Sequence, residues 1–184
     1  MRKNILLEQA HAILASLITQ DDIIVDATMG NGHDTLFLST IAKEVYAFDI
    51  QQDAINKTKE KVGHLSHVHL IHDTHLHMFD YVEEFKGVIF NLGYLPQGNP
   101  SITTDADTTI KTLNLILPRL NKHGFIQIIC YPGHPEGKLE SEKLQSWKQE
   151  LSIHHYQIIE SHFVAEIHEP PYMLMIYKTK DESD

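Results

Sequence analysis

The segment DATMGNGHDT, Asp26–Thr35, joins an apolar run to a helical pattern through a bend with two glycines, an asparagine and two aspartates. A further acid, Asp49, closes the next apolar run, EVYAFDI. Gly30 and Gly32 can take backbone angles closed to other residues and let a ligand approach the main chain. Asn31 adds an amide and tolerates left-handed geometry. Two cofactor classes compete for such a bend. A dinucleotide lays its pyrophosphate on a free helix N-terminus, normally through G-x-G-x-x-G. Here Thr35 holds the third glycine position, and Asp34 would set a negative charge against the phosphates. S-adenosylmethionine has no phosphate and carries an ammonium and a sulfonium, so Asp26 and Asp34 favour it, with Thr28 counted in the same bend. Asp49 can accept both ribose hydroxyls of either cofactor. The sign of the charge points to the methyl donor. The structural alternative is a plain turn, with Asp34 capping the helix that follows.

A second informative segment is NLGYLPQGNP, Asn91–Pro100. Methyltransferases acting on the amino groups of adenine, cytosine or glutamine often carry [DNS]-P-P-[YF] after the fourth strand. This chain keeps the first and fourth positions, Asn91 and Tyr94, and has Leu92 and Gly93 in place of the prolines. The chemistry needs acceptors, a side-chain oxygen and a backbone carbonyl, that orient an N–H-bearing nitrogen toward the methyl group. An alkyl amine must also lose a proton first, which costs roughly 4–5 kcal/mol at neutral pH for a lysine-like pKa. Asn91 therefore orients and is a poor base. A Gly-Pro turn is the alternative. YPGHPEG, Tyr131–Gly137, follows the fifth strand: Tyr131 could stack on a base, His134 contact a phosphate or proton, and Glu136 pair with a cation, or the prolines only shape a loop.

These residues need a scaffold that brings them to one rim. Apolar runs alternate with helical patterns: strands in DDIIVDAT, EVYAFDI, HVHLIHD, KGVIFNLGY and GFIQIICYPG, and helices in HDTLFLSTIAK, QQDAINKTKEKVG, TTDADTTIKTLNLILPRLN (bent near Pro118) and EGKLESEKLQSWKQELS. Two more strands, HHYQIIESHF and PPYMLMIYKTK, are joined by a loop too short for a parallel crossover, which predicts an antiparallel pair at the sheet edge. The expectation is an α/β fold: a Rossmann-like, mostly parallel seven-stranded sheet with an antiparallel terminal strand and helices on both faces, as in class I S-adenosylmethionine methyltransferases. In that fold ligands bind at the carboxyl ends of the strands, where strand order reverses. Asp73 after the third strand falls where such enzymes contact adenine, with His75 beside it, although HDTHLH also reads as plain loop. Residues 1–184 read as a single domain, with an amphipathic N-terminal helix in 1–20 and a frayed tail in 180–184.

Bulk composition excludes other classes. One cysteine, Cys130, precludes an internal disulfide, suits a reducing cytoplasm and reads as a small buried hydrophobe. No stretch reaches transmembrane length. A formal charge of −10 argues against a general nucleic-acid coat, while leaving room for one folded RNA held by a local patch. Histidines crowd between His64 and His77 without zinc spacing, so no metal is expected. Trp147 reads as packing.

In this order and in so short a chain, DATMGNGHDTLFL, FDIQ, NLGYLP and YPGHPEG resemble the bacterial YtqB/MnmM family of class I S-adenosylmethionine methyltransferases, over nearly the whole chain. The resemblance implies transfer of a methyl group to the primary amine of 5-aminomethyl-2-thiouridine at tRNA wobble position 34. It implies a cofactor site at Gly30, Asn31, Asp34, Asp49 and Gln51, closed by Asp73 and His75. Asn91 and Tyr94 would meet the uridine side chain, and Tyr131 and His134 would line the RNA side. A tRNA anticodon stem-loop as partner, a homodimer and a cytoplasmic location go with it. Two other readings stay open: N-methylation of a small-molecule or protein amine, and a non-catalytic adenosine-ligand module.

Overall fold

A computed structural model describes residues 4–93, 105–164 and 169–180. Tyr94 and the tail residues 181–184 lie outside them.

The N-terminal helix α1, Ile5–Leu17, begins where the Asn4 side chain accepts the Leu7 N–H. Leu6, Ala10 and Leu14 are its buried stripe, and Ile18 just beyond continues it. Five parallel strands follow: β1 Ile23–Asp26, β2 Glu44–Asp49, β3 Val68–His72, β4 Gly87–Asn91 and β5 Phe125–Cys130. Between them run α2 His33–Ser39, α3 Gln52–Val62, a 3-10 helix at His75–Asp80 and α4 Ala106–Ile116. Where HDTHLH allowed a loop, the Thr74 hydroxyl accepts the Leu76 N–H and starts the 3-10 turn. α4 opens on Asp105, whose carboxylate accepts the Thr108 N–H, and gives way to a 3-10 turn at Pro118. Proline lacks the donor and disfavours helix before it, so the long helical pattern stops there. α5, Pro135–Gln149, and the strands β6 Tyr156–His162 and β7 Tyr172–Lys178 complete the chain.

The sheet order is β3-β2-β1-β4-β5-β7-β6. Both final pairings are antiparallel, as the short connection requires, but β7 enters between β5 and β6 and leaves β6 at the edge. Composition explains the placement: YMLMIYK is apolar at nearly every position and mostly buried, whereas YQIIESH alternates and is half exposed.

Alternating residues feed two cores, one on each face. Ile24, Ile89, Phe125 and Met175 pack under α1 and α2 with Leu6, Leu14 and Leu38. Val25, Val88, Ile126 and Leu174 face the opposite layer, with Leu113, Ile116, Leu144 and Trp147 from α4 and α5. Trp147 is a packing residue there; its indole N–H donates to Asn114 Oδ1 at 2.8 Å. Gln127, buried in β5, donates to the Ala10 carbonyl at 3.3 Å and ties α1 to the sheet. Cys130 is fully buried.

The histidine run disperses along the β3 edge. His67 bonds the Ser39 carbonyl, His69 reaches Glu44 and stacks on Tyr46, His72 meets the Ile50 carbonyl, and His77 pairs with Asp73. Among the described residues no group of three potential ligands converges on a metal position. Among the same residues, no helix is long and apolar enough to cross a membrane.

Gly32 shows how tightly the bend is seated. Its φ is +74°, and a Cβ there would lie 2.6 Å from Thr58 Oγ1 and 2.9 Å from the Thr58 Cα. Gly32→Ala should therefore destabilise the protein by about 2 kcal/mol or more in urea unfolding. Adding Thr58→Ala should not restore it, because the backbone of α3 is itself in the way.

Candidate active site

The carboxyl ends of β1, β2, β4 and β5 open on one cavity of about 960 Å³. That is the upper end of the range for a single small ligand. It leaves room for a nucleoside-sized cofactor and part of a second molecule.

The bend after β1 forms its floor. Gly30 has a φ of +51°, and its N–H donates to Asp49 Oδ2 at 3.0 Å. The Thr28 N–H goes to Asp26, the Met29 N–H to the Phe48 carbonyl and the Gly32 N–H to the Met29 carbonyl. From α3, Thr58 donates to the Gly30 carbonyl and Lys61 to the Asn31 carbonyl. A pyrophosphate cradle needs N–H groups aimed outward; these point inward. Asn31 Oδ1, by contrast, is buried with no partner among the described residues, on a residue that borders the cavity. An orphaned acceptor there asks for a donor-bearing ligand.

The wall charges agree. Among the described residues that border the cavity are five carboxylates, Asp34, Asp49, Asp73, Asp105 and Glu169, and no lysine or arginine. Such a wall suits a cationic ligand and opposes a phosphate. Asp49 accepts the N–H groups of Gly30 and Gln51, one on each oxygen, and keeps acceptor capacity toward the cavity for a hydroxyl-bearing ligand. Burial pushes its carboxyl up, moderated by the N–H groups of Gln51, Gly30 and Ile50.

On the far side of β2, Asp73 accepts the Thr74 N–H, the Tyr81 hydroxyl and His77. Its partial burial acts upward on the carboxyl, but these partners together hold it below the usual range. His75 is buried, and its ring is a defined neutral tautomer. The Thr112 hydroxyl donates to the Thr108 carbonyl, so it accepts from His75 Nδ1–H at 2.8 Å. Burial pushes the imidazole down to about 4. Nε2 is left as a bare acceptor on a ring that borders the cavity.

The other half of the cavity is organised by Asp34. Its Oδ1 accepts His11 Nε2–H at 2.6 Å, and its Oδ2 accepts Asn91 Nδ2–H at 3.0 Å. Burial acts upward on this carboxyl, but the hydrogen bonds from His11 and Asn91 and the electrostatic influence of His11 and His33 outweigh it, and it stays below the ordinary range. Its side chain does not cap α2, whose N-cap is Gly32. Asn91 donates its own N–H to Thr28 Oγ1 at 2.7 Å, locking the end of β4 to the bend. Its side chain also bonds Tyr131, whose phenol is pushed up to about 12 by burial and the Asp34 charge. His134 caps α5 by accepting the Gly137 N–H and also meets Glu136.

Of the residues singled out by sequence, the cavity thus gathers Thr28, Gly30, Asn31, Asp34, Asp49, Gln51, Asp73, His75, Asn91, Tyr131 and His134. Tyr94 is outside the described residues. Gly32 shapes the bend without bordering the cavity. Asp26 also lies behind the wall: it is 1% exposed, and its oxygens accept the Thr35 hydroxyl at 2.6 Å and the Thr28 N–H. Sequence reasoning passed over Leu7 and His11 on α1, and Asp105 and Thr108 at the start of α4. The one trace of His11 is a polar break in an amphipathic helix; its partner is 23 residues away, beyond any local pattern.

Comparison with known proteins gives the family and the fold. A family profile described as "Putative rRNA methylase" matches residues 45–177. The "tRNA (mnm(5)s(2)U34)-methyltransferase, chloroplastic" of Arabidopsis thaliana is 37% identical over 163 residues, 79% of this chain. The match spans 60% of that curated relative's length. A solved "putative rRNA-methylase" from Clostridium thermocellum is 35% identical, with a TM-score of 0.90 over 97% of this chain and 99% of its own. A "putative methyltransferase" from Streptococcus mutans, solved in complex with SAH, is 38% identical, with a TM-score of 0.87 over the same shares.

Asp26 supplies a test of the electrostatics. Burial, then the Asp34 and Asp49 charges, raise its carboxyl from 3.8 to about 7 against the Thr35 and Thr28 hydrogen bonds. Between those values the folded protein binds the proton more tightly than the unfolded chain, so this group lowers stability as pH rises through the window. Asp26→Asn removes that dependence. The stability of the ligand-free variant relative to wild type should rise from pH 5 to pH 8, measured by urea midpoints; a gap independent of pH would contradict a raised carboxyl.

Proposed function

Because the chain belongs to the family described as "Putative rRNA methylase", we propose that it methylates tRNA at wobble position 34. It would transfer a methyl group from S-adenosylmethionine to the primary amine of 5-aminomethyl-2-thiouridine and give the 5-methylaminomethyl product. The observation that carries this reading is the wall itself: carboxylates and bare acceptors, no lysine or arginine among its described residues, and the N–H groups of Thr28, Met29, Gly30 and Gly32 turned inward. The named activity of the Arabidopsis relative and the SAH of the Streptococcus structure support it.

In this reading Asp49 takes the ribose hydroxyls, and Gly30, Asn31 and Gln51 line the cofactor beside it. Asn31 Oδ1 receives a donor such as the cofactor's ammonium. Asp73 and the neutral His75 face the adenine, where His75 Nε2 can accept an amino N–H. Asp26 supports this half from behind by holding Thr28 and Thr35. S-adenosylmethionine, when bound, supplies an electrophilic methyl group. Once the arriving ammonium has released one proton to solvent, Asn91 Oδ1 receives an N–H of the free amine and aims its lone pair, an effect of proximity and orientation. Tyr94 is assigned to the same uridine side chain, and Tyr131 and His134 to the RNA side of the cavity.

The acidic wall suits the ammonium form in which the amine arrives and offers nothing to RNA phosphates. Lysine or arginine for the phosphates of the anticodon stem-loop must therefore come from outside the described cavity wall. The same acidity, with a net charge of −10, favours a second reading in which the amine belongs to a small molecule or a protein.

Nucleoside mass spectrometry separates the two. A deletion strain should accumulate 5-aminomethyl-2-thiouridine in its tRNA; unchanged modification would reject the tRNA reading. In the purified protein, Asn91→Ala should leave S-adenosylmethionine binding within a few fold by calorimetry and lower kcat on the order of 100-fold. An unaltered rate would remove Asn91 from the mechanism.

A further inference from the structure

We propose that His11, on the N-terminal helix, is a positioning residue that acts through Asp34 to hold the Asn91 amide with its oxygen toward the substrate amine. This rests on the methyl-transfer reading above.

A side-chain amide has nearly the same shape in two orientations. Turned over, Asn91 would present its NH2 to the incoming amine and repel the N–H groups it is meant to accept. Asp34 decides between the two. An ionised carboxylate can only accept, so the Asn91 nitrogen must face Asp34 Oδ2, and Oδ1 is left on the other side of the amide. The lock holds only while Asp34 is ionised, because a protonated carboxyl can donate as well as accept.

His11 keeps it ionised. Its Nε2–H meets Asp34 Oδ1 at 2.6 Å, and its ring lies flat on Phe37, 4.0 Å between centroids and 4° from parallel. With Leu7 one turn earlier it forms the part of α1 that borders the cavity, beside the stripe that packs on the sheet. The charged and titratable groups facing Asp34 are His11 from α1, His33 from its own helix, Asp26 from β1 and Tyr131 from β5. Asp26 repels the Asp34 charge, His33 attracts it, and Tyr131 is a neutral phenol. Among the described residues only His11 and Asn91 hydrogen-bond the carboxylate. Without His11, burial would act on Asp34 with one donor fewer, and the carboxyl would take up a proton at higher pH.

The test reads the lock directly, without RNA, in the SAH-bound protein labelled with carbon-13 and nitrogen-15. In the wild type the Asp34 carboxyl signal should stay flat between pH 8 and pH 5, with one Asn91 amide proton held in a hydrogen bond. His11→Ala should make Asp34 titrate inside that window and release the amide proton. His11→Gln, which can offer an N–H to the same oxygen, should restore both. In methyl transfer to aminomethyl-bearing tRNA, His11→Ala should lower kcat on the order of 10-fold with KM little changed. Its acid limb should move to higher pH, and His11→Gln should recover most of the rate. A flat Asp34 signal in His11→Ala, or equal losses in both variants with an unmoved acid limb, would overturn the proposal. If the titrations behave as stated but wild-type protein transfers no methyl to that RNA, the substrate reading fails while the positioning role of His11 stands.

Discussion

The order of the sheet reverses at β1, and that constraint generates the site. β2 and β3 lie to one side of β1, and β4 and β5 to the other, all parallel. Connections between parallel strands are right-handed, so the crossovers on the two sides leave the sheet on opposite faces. Their opening loops diverge and leave a crevice at the carboxyl ends. The bend after β1, Asp49 after β2 and Asn91 at the end of β4 meet there. Residues far apart in the chain share one cavity because the strand ends that carry them are adjacent.

Within the crevice, carboxylates divide into two kinds by what surrounds them. Asp26 is enclosed by the sheet and by two other acids, and its carboxyl is pushed up to about 7. Asp34, eight residues further along, is held below the ordinary range because His11 and Asn91 donate to it. Each accepts two hydrogen bonds, so the difference lies in depth and neighbours: Asp26 is the more deeply enclosed and faces Asp34 and Asp49, whereas Asp34 faces His11 and His33. The same rule accounts for His75, which is buried without a carboxylate beside it and is therefore neutral.

The edges of the sheet are managed by polar residues rather than by a ligand. Along β3 the histidines bond carbonyls and carboxylates of neighbouring segments, and along β6 alternating polar residues face outward. Edge strands protected in this way resist pairing with other chains. The density of histidine in this region is thus a property of an exposed strand and its loops.

Local order was legible in the chain because its physics is local. Apolar runs and period-3.6 patterns marked the strands and helices, and the glycines and acids of DATMGNGHDT marked the ligand bend. The brief final connection marked an antiparallel pair. Asp49 and Asn91 could be placed at strand ends from hydrophobic runs alone. What only the tertiary structure decided depends on partners distant in sequence. Asp34 meets residues 23 and 57 positions away, and this turns it from a bend acid into the centre of a hydrogen-bonded chain. Asp26, assigned to the ligand by its type, was moved behind the wall by the closure of the sheet around it. His11 became part of the cavity because α1 packs across β7 and β5, a contact no periodicity encodes. Residue type sets what a side chain can donate or accept, and packing sets which partner it finds.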